Sequence, residues 1–222
     1  MPARSSSVFF LLAACVCAGC SGYTPIVRDT VPEQRPEVDI SLTRSALIRT
    51  ADCDISVMQI SREEWDNIAS NRMYLLEVRN DAPRMLPFEM YQVVITNSSE
   101  RNLSGIEFSA RYGEYTVAGE PAASVIKKCS SPVYKNISFE KLLKPRRIVS
   151  NEYLSEKDTY DGDSLEYPFP FVLPLDTVRY YALLPQIPAD VRNFTVIVTY
   201  TVDNTKKNVD FKFKRLEHRE KE

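Results

Sequence analysis

The sequence predicts a mainly β protein whose main domain is an antiparallel β-sandwich. Several short segments alternate apolar and polar residues, which is typical of strands with one buried face. Polar turn clusters separate these segments, and no long helix lies between them. Closely spaced strands without crossover helices favour antiparallel pairing and two packed sheets. Twelve Tyr and ten Phe residues against only six Gly agree with a well-packed β-rich body.

The predicted elements begin with a strand and one short helix. Residues 54–60 alternate polar and apolar side chains. Ser61 with Glu64 forms a capping box that begins a helix ending near residue 71. Trp65 lies on the apolar face of that helix, so it is interpreted as a packing anchor rather than a ligand platform. The later predicted strands are 90–96, 105–112, 115–118, 177–184, 193–202 and 208–214.

Residues 1–19 are typical of an export signal. Arg4 supplies positive charge, an apolar stretch follows over 8–14, and Ala18 and Gly19 precede Cys20. The apolar stretch is shorter than the roughly 20 residues that a membrane-spanning helix needs. Small residues before a cleavage site mark a secretory signal. We therefore expect residues 1–19 to be removed.

The sequence Ala18-Gly19-Cys20-Ser21 resembles the lipobox of bacterial lipoproteins, whose cysteine receives diacylglycerol. Position 17 is Cys rather than the usual Leu-like residue. A second box, Leu12-Ala13-Ala14-Cys15, matches letter for letter, but only about five apolar residues precede it, against the usual 7 to 15 or so. Cys20 is therefore the predicted lipidated residue and Cys15 is the alternative. An ordinary cleaved secretory signal is the other interpretation.

The resemblance implies a protein of the bacterial cell envelope, held to the inner or outer membrane and facing the periplasm or the cell surface. Two or more acyl chains bind a bilayer stably, whereas one chain binds it marginally. No later apolar run approaches spanning length. The mature chain is thus expected to contact the membrane through its lipid.

The mature region is predicted to contain a tether, an N-terminal addition and a main domain. Residues 20–39 carry three prolines among charged residues, without apolar periodicity. They are predicted to be a flexible tether, which would reach roughly 55 Å if extended. Residues 40–85 supply the first strand and the short helix, packed on a main domain over 86–216. A charged tail over 217–222 ends the chain.

Within the main domain, residues from about 129 to 167 are polar and irregular. They are predicted to form a long insertion between strands. Loops of this length in compact domains are usually functional or disordered. A partner site is therefore expected here.

The stretch VVITNSSERNLSGIEFSARY, with the later FVLPLDTVRYYALL, resembles the immunoglobulin- or fibronectin-like modules of bacterial envelope proteins. The resemblance spans about residues 86–216. It implies an immunoglobulin-like antiparallel β-sandwich with a short N-terminal strand-helix addition and the long insertion. Because this fold hosts many functions, it implies no activity.

Catalytic and metal chemistry have few candidates in the sequence. His218 is the only histidine, and it lies in the charged tail. Ser-His-Asp and Cys-His catalysis need a positioned imidazole, and zinc sites built from His and Cys need more such ligands. No catalytic site and no cofactor are therefore predicted. Hydrolysis by two carboxylates stays formally open, because acidic residues are plentiful and no spacing selects a pair.

Cys53 and Cys129 are the cysteines that follow Cys20. An even pair in an oxidising envelope favours a disulfide. Two buried free thiols in different strands are the alternative. The sequence leaves both possibilities open.

Two charged clusters and one apolar strip lie in or beside the predicted insertion. The acidic cluster comprises Asp158, Asp161, Asp163 and Glu166. Its carboxylate oxygens would suit calcium, but their spacing in the sequence is not that of an EF-hand loop. A solvated loop is therefore favoured over a metal site.

The basic cluster, which could contact a partner, includes Lys141, Lys144, Arg146 and Arg147. The apolar strip comprises residues 167–174. It is expected to be buried and to lead into an edge strand, where proline is tolerated. The alternative is that the strip is exposed and binds a partner.

The overall charge argues against a nucleic-acid partner. The chain has 28 Lys and Arg residues and 30 Asp and Glu residues, and removing residues 1–19 removes only Arg4 among them, leaving a net charge of about −3. Nucleic-acid-binding domains are usually clearly basic. The sequence thus predicts a non-catalytic, membrane-anchored envelope lipoprotein that acts as a binding or scaffold module for a protein partner. An envelope hydrolase with paired carboxylates and a surface-exposed adhesin are the alternatives.

Overall fold

The structure is a computed structural model that describes residues 26–60, 88–120, 144–148 and 169–219. Every regular element in these ranges is a β-strand. The described part is therefore mainly β, as the sequence predicts. The predicted helix over 61–71, with Trp65, lies outside the described residues. Within the described ranges, no helix is long and apolar enough to cross a membrane.

Six of the seven predicted strands agree closely with the structure. Those at 115–118 and 193–202 are confirmed to the residue, and four others differ by one or two residues at one or both ends. The structure adds strands at 26–32, 39–40, 46–49 and 146–147 that were not predicted. In chain order the strands are β1 (Ile26–Pro32), β2 (Asp39–Ile40), β3 (Ala46–Arg49), β4 (Cys53–Gln59), β5 (Phe88–Asn97), β6 (Leu103–Tyr112), β7 (Tyr115–Ala118), β8 (Arg146–Arg147), β9 (Phe171–Val172), β10 (Thr177–Pro185), β11 (Asn193–Val202) and β12 (Thr205–Arg219).

The strands form two sheets. The β11 sheet has the order β1-β12-β11-β6-β7, with β9 also pairing β6. The β5 sheet has the order β2-β3-β4-β5-β10-β8. Every strand pair with a described register is antiparallel. Thr30–Arg215 make one compact unit, and Met1–Asp29 with Leu216–Glu222 make another, whose described residues belong to β1 and β12.

Both sheets of the Thr30–Arg215 unit contribute to one buried core. Alternate residues of each strand point to the same face, and one face of each sheet is apolar. The β11 sheet supplies Phe194 and Phe213, and the β5 sheet supplies Tyr91. The Tyr91 and Phe213 rings meet edge to face at 5.6 Å, and Phe213 stacks on Phe194 at 5.7 Å. Burying each such aromatic side chain contributes roughly 1.5–3 kcal/mol.

The two ends of this unit can be told apart from the strand registers. One end carries the β2–β3 turn (Ser41–Ser45), the β6–β7 turn at Gly113 and the loop 186–192. We call it the entry end. The opposite end carries the β3–β4 turn at Asp52 and the β11–β12 turn at Asp203, and we call it the far end.

The chain enters the unit at the entry end. The Glu33 amide donates to the Lys212 carbonyl at 2.8 Å, and the Arg35 side chain donates to the Asp210 carbonyl at 2.7 Å. The chain therefore runs antiparallel to β12 here, and Thr30–Pro32 lie toward Lys214.

The predicted tether over 20–39 was too long. Strand β1 occupies Ile26–Pro32, and Val38 is 3% exposed and belongs to the core. Proline is tolerated on an edge strand such as β1, because one side of that strand needs no donor. The pairing of β1 with β12 joins residues far apart in sequence, so local periodicity does not reveal it. Residues 20–25 lie outside the described ranges.

Two other predicted boundaries also differ from the structure. Part of the insertion over 129–167 forms β8, which pairs with β10. The predicted loop over 203–207 is a two-residue turn, since Asp203 (φ 49°) and Asn204 (φ 61°) both adopt the left-handed conformation of a tight hairpin turn. Strand β12 consequently begins at Thr205, and it continues to Arg219, into the predicted tail.

Candidate functional site

Few of the predicted site residues lie in the described ranges. Those described are Cys53, Lys144, Arg146 and Arg147. Those outside are Cys15, Cys20, Cys129, Lys141, Asp158, Asp161, Asp163 and Glu166. His218 belongs to the last residues of β12. The predicted lipid anchor and the weak metal candidate therefore stay predictions.

The described part of the basic cluster is joined to the β5 sheet. Strand β8 places Arg147 beside Val178, and the Arg147 guanidinium forms an ion pair with Asp176. The Asp176 side chain is only 5% exposed, whereas that of Arg147 is half exposed. Because a nearly buried carboxylate holds Arg147, this arginine has a structural partner within the chain.

Cys53 is a fully buried thiol at the far end. Its sulfur lies 3.6 Å from the Thr50 hydroxyl. Burial raises the pKa of the Cys53 thiol, so the neutral thiol predominates, and it is a poor nucleophile. Because Cys129 lies outside the described residues, the disulfide stays a prediction.

A polar network surrounds Cys53 and joins the two sheets at the far end. The Tyr200 hydroxyl of β11 donates to Asp52 Oδ2 at 3.0 Å, and Lys207 Nζ of β12 donates to the same oxygen at 2.6 Å. Thr50 Oγ1 accepts the Cys53 amide at 3.0 Å and lies 3.3 Å from the Tyr200 hydroxyl. The β3–β4 turn of the β5 sheet is thereby held to the β11–β12 hairpin.

The charges of this network reinforce each other. The hydrogen bond from Lys207 lowers the pKa of the Asp52 carboxyl, against the opposing effect of burial. Burial raises the pKa of the Tyr200 phenol. At neutral pH Asp52 is therefore an anion that accepts from a neutral phenol and an ammonium group. Both donors are engaged by the Asp52 carboxylate, so these groups are paired with each other through Asp52.

The entry end has a second and more deeply buried network, centred on Glu89 of β5 and Arg215 of β12. The two side chains form an ion pair and are 12% and 10% exposed. Glu89 Oε2 also accepts the Tyr91 hydroxyl at 2.8 Å, and Oε1 accepts the Ile187 amide at 3.3 Å. Burial and the nearby Glu89 carboxylate raise the pKa of Tyr91 well above its usual value.

The Arg215 guanidinium also orders the loop 186–192. It donates to the carbonyls of Pro188 at 2.6 Å, Ile187 at 3.2 Å and Val191 at 3.3 Å. Its carbon lies 5.4 Å from the centre of the Phe194 ring, within the range of a cation–π contact. One guanidinium thus joins a strand from each sheet and the loop between β10 and β11.

Sequence analysis missed both networks, although one signal was present. Glu89 is two residues from Tyr91 on β5, and Arg215 is two residues from Phe213 on β12. Residues two apart on a strand point to the same face of the sheet, so both charged residues are expected to point inward with these aromatic side chains. Two inward-facing opposite charges predict a buried pair. The Asp52 network has no such signal, because Asp52 lies in a turn.

The apolar strip over 167–174 is divided between the core and the solvent. Val172 of β9 is fully buried, as predicted, and accepts a hydrogen bond from the buried Asn97 side chain at 3.0 Å. Phe169 is 43% exposed and stacks on Phe171 at 5.4 Å. The strip was therefore predicted correctly at Val172 and wrongly at Phe169.

Leu175, just beyond the strip, is unusually exposed and strained. It is 83% exposed and has a φ of 64°, a conformation that leucine rarely adopts. Its amide donates to the Asn97 carbonyl at 2.9 Å, which holds the turn. Backbone strain of this kind tends to occur at functional positions.

We predict that Glu89→Gln lowers the free energy of unfolding by about 3 kcal/mol, because it leaves the Arg215 charge nearly buried without its counter-ion. Glu107→Gln is the matched control, since Glu107 pairs with Lys206 in a geometry where both side chains are more than 60% exposed. An exposed pair contributes within about 1 kcal/mol. Urea unfolding of both variants measures the difference. Equal losses would show that burial does not distinguish the two pairs.

The Asp52 network predicts a pH dependence of stability. The pKa of the Asp52 carboxyl in the folded protein lies below its value of about 3.9 in the unfolded chain. The contribution of Asp52 is therefore complete above that value and is lost as the pH falls through the folded pKa. Asp52→Asn and Lys207→Met should each flatten the decline of unfolding free energy below about pH 4. Lys206→Met, which removes the neighbouring exposed lysine, should keep the parent slope. Unchanged slopes in the first two variants would contradict the assignment.

The Asp52 and Glu89–Arg215 networks thus connect strands and turns of the two sheets. Within the four described ranges, no group of three or more His, Cys, Asp or Glu side chains is arranged to hold a metal ion. No known protein family matches the sequence, and no characterised protein is significantly similar to it.

Proposed function

We propose that the protein is an exported bacterial lipoprotein of the cell envelope, anchored by a lipidated Cys20, whose folded part binds or scaffolds a protein partner without catalysis. The observation that carries this proposal is the N-terminal sequence. A short apolar stretch ends in Ala18 and Gly19 directly before Cys20. The start of β1 at Ile26 leaves five residues between the anchor and the first strand.

For the fold we propose an immunoglobulin-like β-sandwich. The strand orders support it. Strands β4-β5-β10-β8 follow the A-B-E-D order of one immunoglobulin sheet, and β12-β11-β6-β7 follow the G-F-C-C′ order of the other. Strands β1, β2, β3 and β9 are additions to this plan.

A non-catalytic role is supported by the pairing of three little-exposed carboxylates in the described ranges. Glu89, Asp52 and Asp176 are each paired with a cation of the same chain. Glu89 lies at the entry end, whereas Asp52 lies at the far end. A glycosidase-type mechanism needs two carboxyl groups on either side of one bond, and these carboxylates are instead engaged as separate structural ties.

The far end is the proposed partner surface. Leu175 and Phe169 are two of the large apolar side chains that the described part exposes, at 83% and 43%. Both lie close in sequence to β9, which pairs with Leu103 and Ser104 at the far end of β6. Aromatic and other large apolar side chains are enriched at the centres of protein interfaces.

The lipid anchor predicts a labelling pattern. Radiolabelled palmitate should be incorporated into the protein in bacterial cells and be lost in Cys20→Ser, because the cysteine sulfur carries the diacylglycerol. Cys15→Ser is the matched control and should retain the label. Loss only in Cys15→Ser would move the anchor, and no label in the parent would reject the lipoprotein proposal.

The partner surface predicts site-selective crosslinking in cells. A photoreactive amino acid replacing Leu175 in the full-length protein should give a discrete protein adduct, because this exposed side chain is held outward by its turn. The same amino acid replacing Thr43, an exposed residue at the entry end, should not. Adducts at both positions, or only at position 43, would contradict the assignment of the far end.

A further inference from the structure

The entry end of the Thr30–Arg215 unit lies close to the proposed anchor along the chain. Ten residues connect Cys20 to Thr30, and they span at most roughly 36 Å when fully extended. Thr30–Pro32 lie toward Lys214, at the entry end, because Glu33 and Arg35 contact β12 in the antiparallel sense. The covalent chain therefore limits the distance between Cys20 and Thr30 to that length.

Leu42 is the most exposed large apolar side chain in the described part of the protein. It is 105% exposed, at the tip of the β2–β3 turn. The turn is ordered, since the Ser41 amide donates to the Ser45 carbonyl at 3.0 Å and the Arg44 amide donates to the Ser41 carbonyl at 3.0 Å. The Ser41 hydroxyl also accepts the Ser45 amide at 3.1 Å. The turn therefore holds the leucine outward.

Tyr115 forms a second exposed apolar tip at the same end. It begins β7, directly after the turn at Gly113, and is 70% exposed. Its ring lies 5.9 Å from that of Tyr112, which is partly buried against the core. A tyrosine that presents an apolar ring and a polar hydroxyl suits the headgroup level of a bilayer, where aromatic residues are enriched.

The two tips belong to different sheets, but the ends of these sheets are joined. The register places the Ser41–Ser45 turn at the end of the β5 sheet that carries Glu89. The Gly113 turn lies at the end of the β11 sheet that carries Lys214. The Glu89–Arg215 pair connects these two ends. Leu42 and Tyr115 thus project from one end of the unit.

Exposed charged residues of both signs lie in the segments at this end. They include Glu33, Glu114, Asp190, Arg192, Lys212 and Lys214. A preference for anionic lipid requires a cluster of basic residues. A surface with exposed charges of both signs is therefore expected to have little such preference. Apolar tips on such a surface suit the interface of a bilayer regardless of its surface charge.

We propose that the entry end rests on the bilayer that carries the lipid anchor, with Leu42 and Tyr115 at the level of the headgroups. This inference depends on the proposed lipidation of Cys20. The proposal also specifies an orientation of the Thr30–Arg215 unit. The entry end contacts the bilayer, and the far end, with Leu175, points away from the membrane. The anchor and the two tips together hold the domain at the membrane surface.

The test uses the full-length, lipidated protein in vesicles of phosphatidylethanolamine and phosphatidylglycerol, made with or without bromine on the acyl chains. Leu42→Trp and Tyr115→Trp each add an indole at the entry end, and Leu175→Trp is the matched control at the far end. Trp65 is present in all samples, so the added emission is read against the parent protein. Brominated lipid should quench most of the added emission at positions 42 and 115 and little of that at position 175. The quenching should persist in vesicles of phosphatidylcholine, because it does not require anionic lipid.

Flotation of the vesicles separates the possible failures. If the parent protein does not float with the vesicles, the lipid anchor is rejected, and the orientation is rejected with it. If the protein floats but positions 42 and 115 are not quenched, or position 175 is quenched equally, the anchor stands and the orientation is wrong. Circular dichroism confirms that each variant is folded, and the Leu42→Trp result alone suffices if Tyr115→Trp disturbs β7.

Discussion

The ion pair between Glu89 and Arg215 is the contact on which the arrangement of the described unit most depends. It joins β5 of one sheet to β12 of the other while both side chains are close to fully buried. Such a pair contributes little net stability compared with an apolar pair, but removing one partner is costly. We therefore expect its effect to be on specificity, since a relative position of the two sheets that separates the pair would leave both charges nearly buried without a partner. Asp52, Tyr200 and Lys207 impose a similar restraint at the opposite end.

These restraints support the proposal that the described part binds a partner without catalysis. In the described ranges, Glu89, Asp52 and Asp176 are paired with cations of the same chain, and burial raises the pKa of the Cys53 thiol and so favours its neutral form. The exposed features are apolar side chains on ordered turns, at both ends of the unit. A membrane-facing end and a partner-facing end would use the same rigid body, so the position of the anchor would set the direction in which the partner surface points.

Seven of the twelve described strands were accessible to sequence analysis because their signal is local. Residues within 115–118 and 193–202 alternate or run apolar over consecutive positions, and a strand needs only that pattern and its turns. Strands β1 and β8 carry no such pattern. They are edge strands, stabilised by backbone pairing with β12 and β10, from which they are separated by long stretches of sequence. The tether was consequently predicted where β1 and the buried Val38 lie.

The predicted export signal, the candidate lipid anchor, the scarcity of catalytic residue types and the β class all follow from the sequence alone, because each depends on residue type or short-range order. The tertiary structure decided which charged residues meet. Glu89 and Arg215 are 126 positions apart, and Asp52 and Lys207 are 155 apart. Their pairing depends on how the sheets are stacked, which no local pattern encodes. The structure likewise decided that Leu42 and Tyr115, from different sheets, lie at the end where the chain enters. Side chains gain a common surface only when distant strands are brought together, so the proposed orientation depends on the fold.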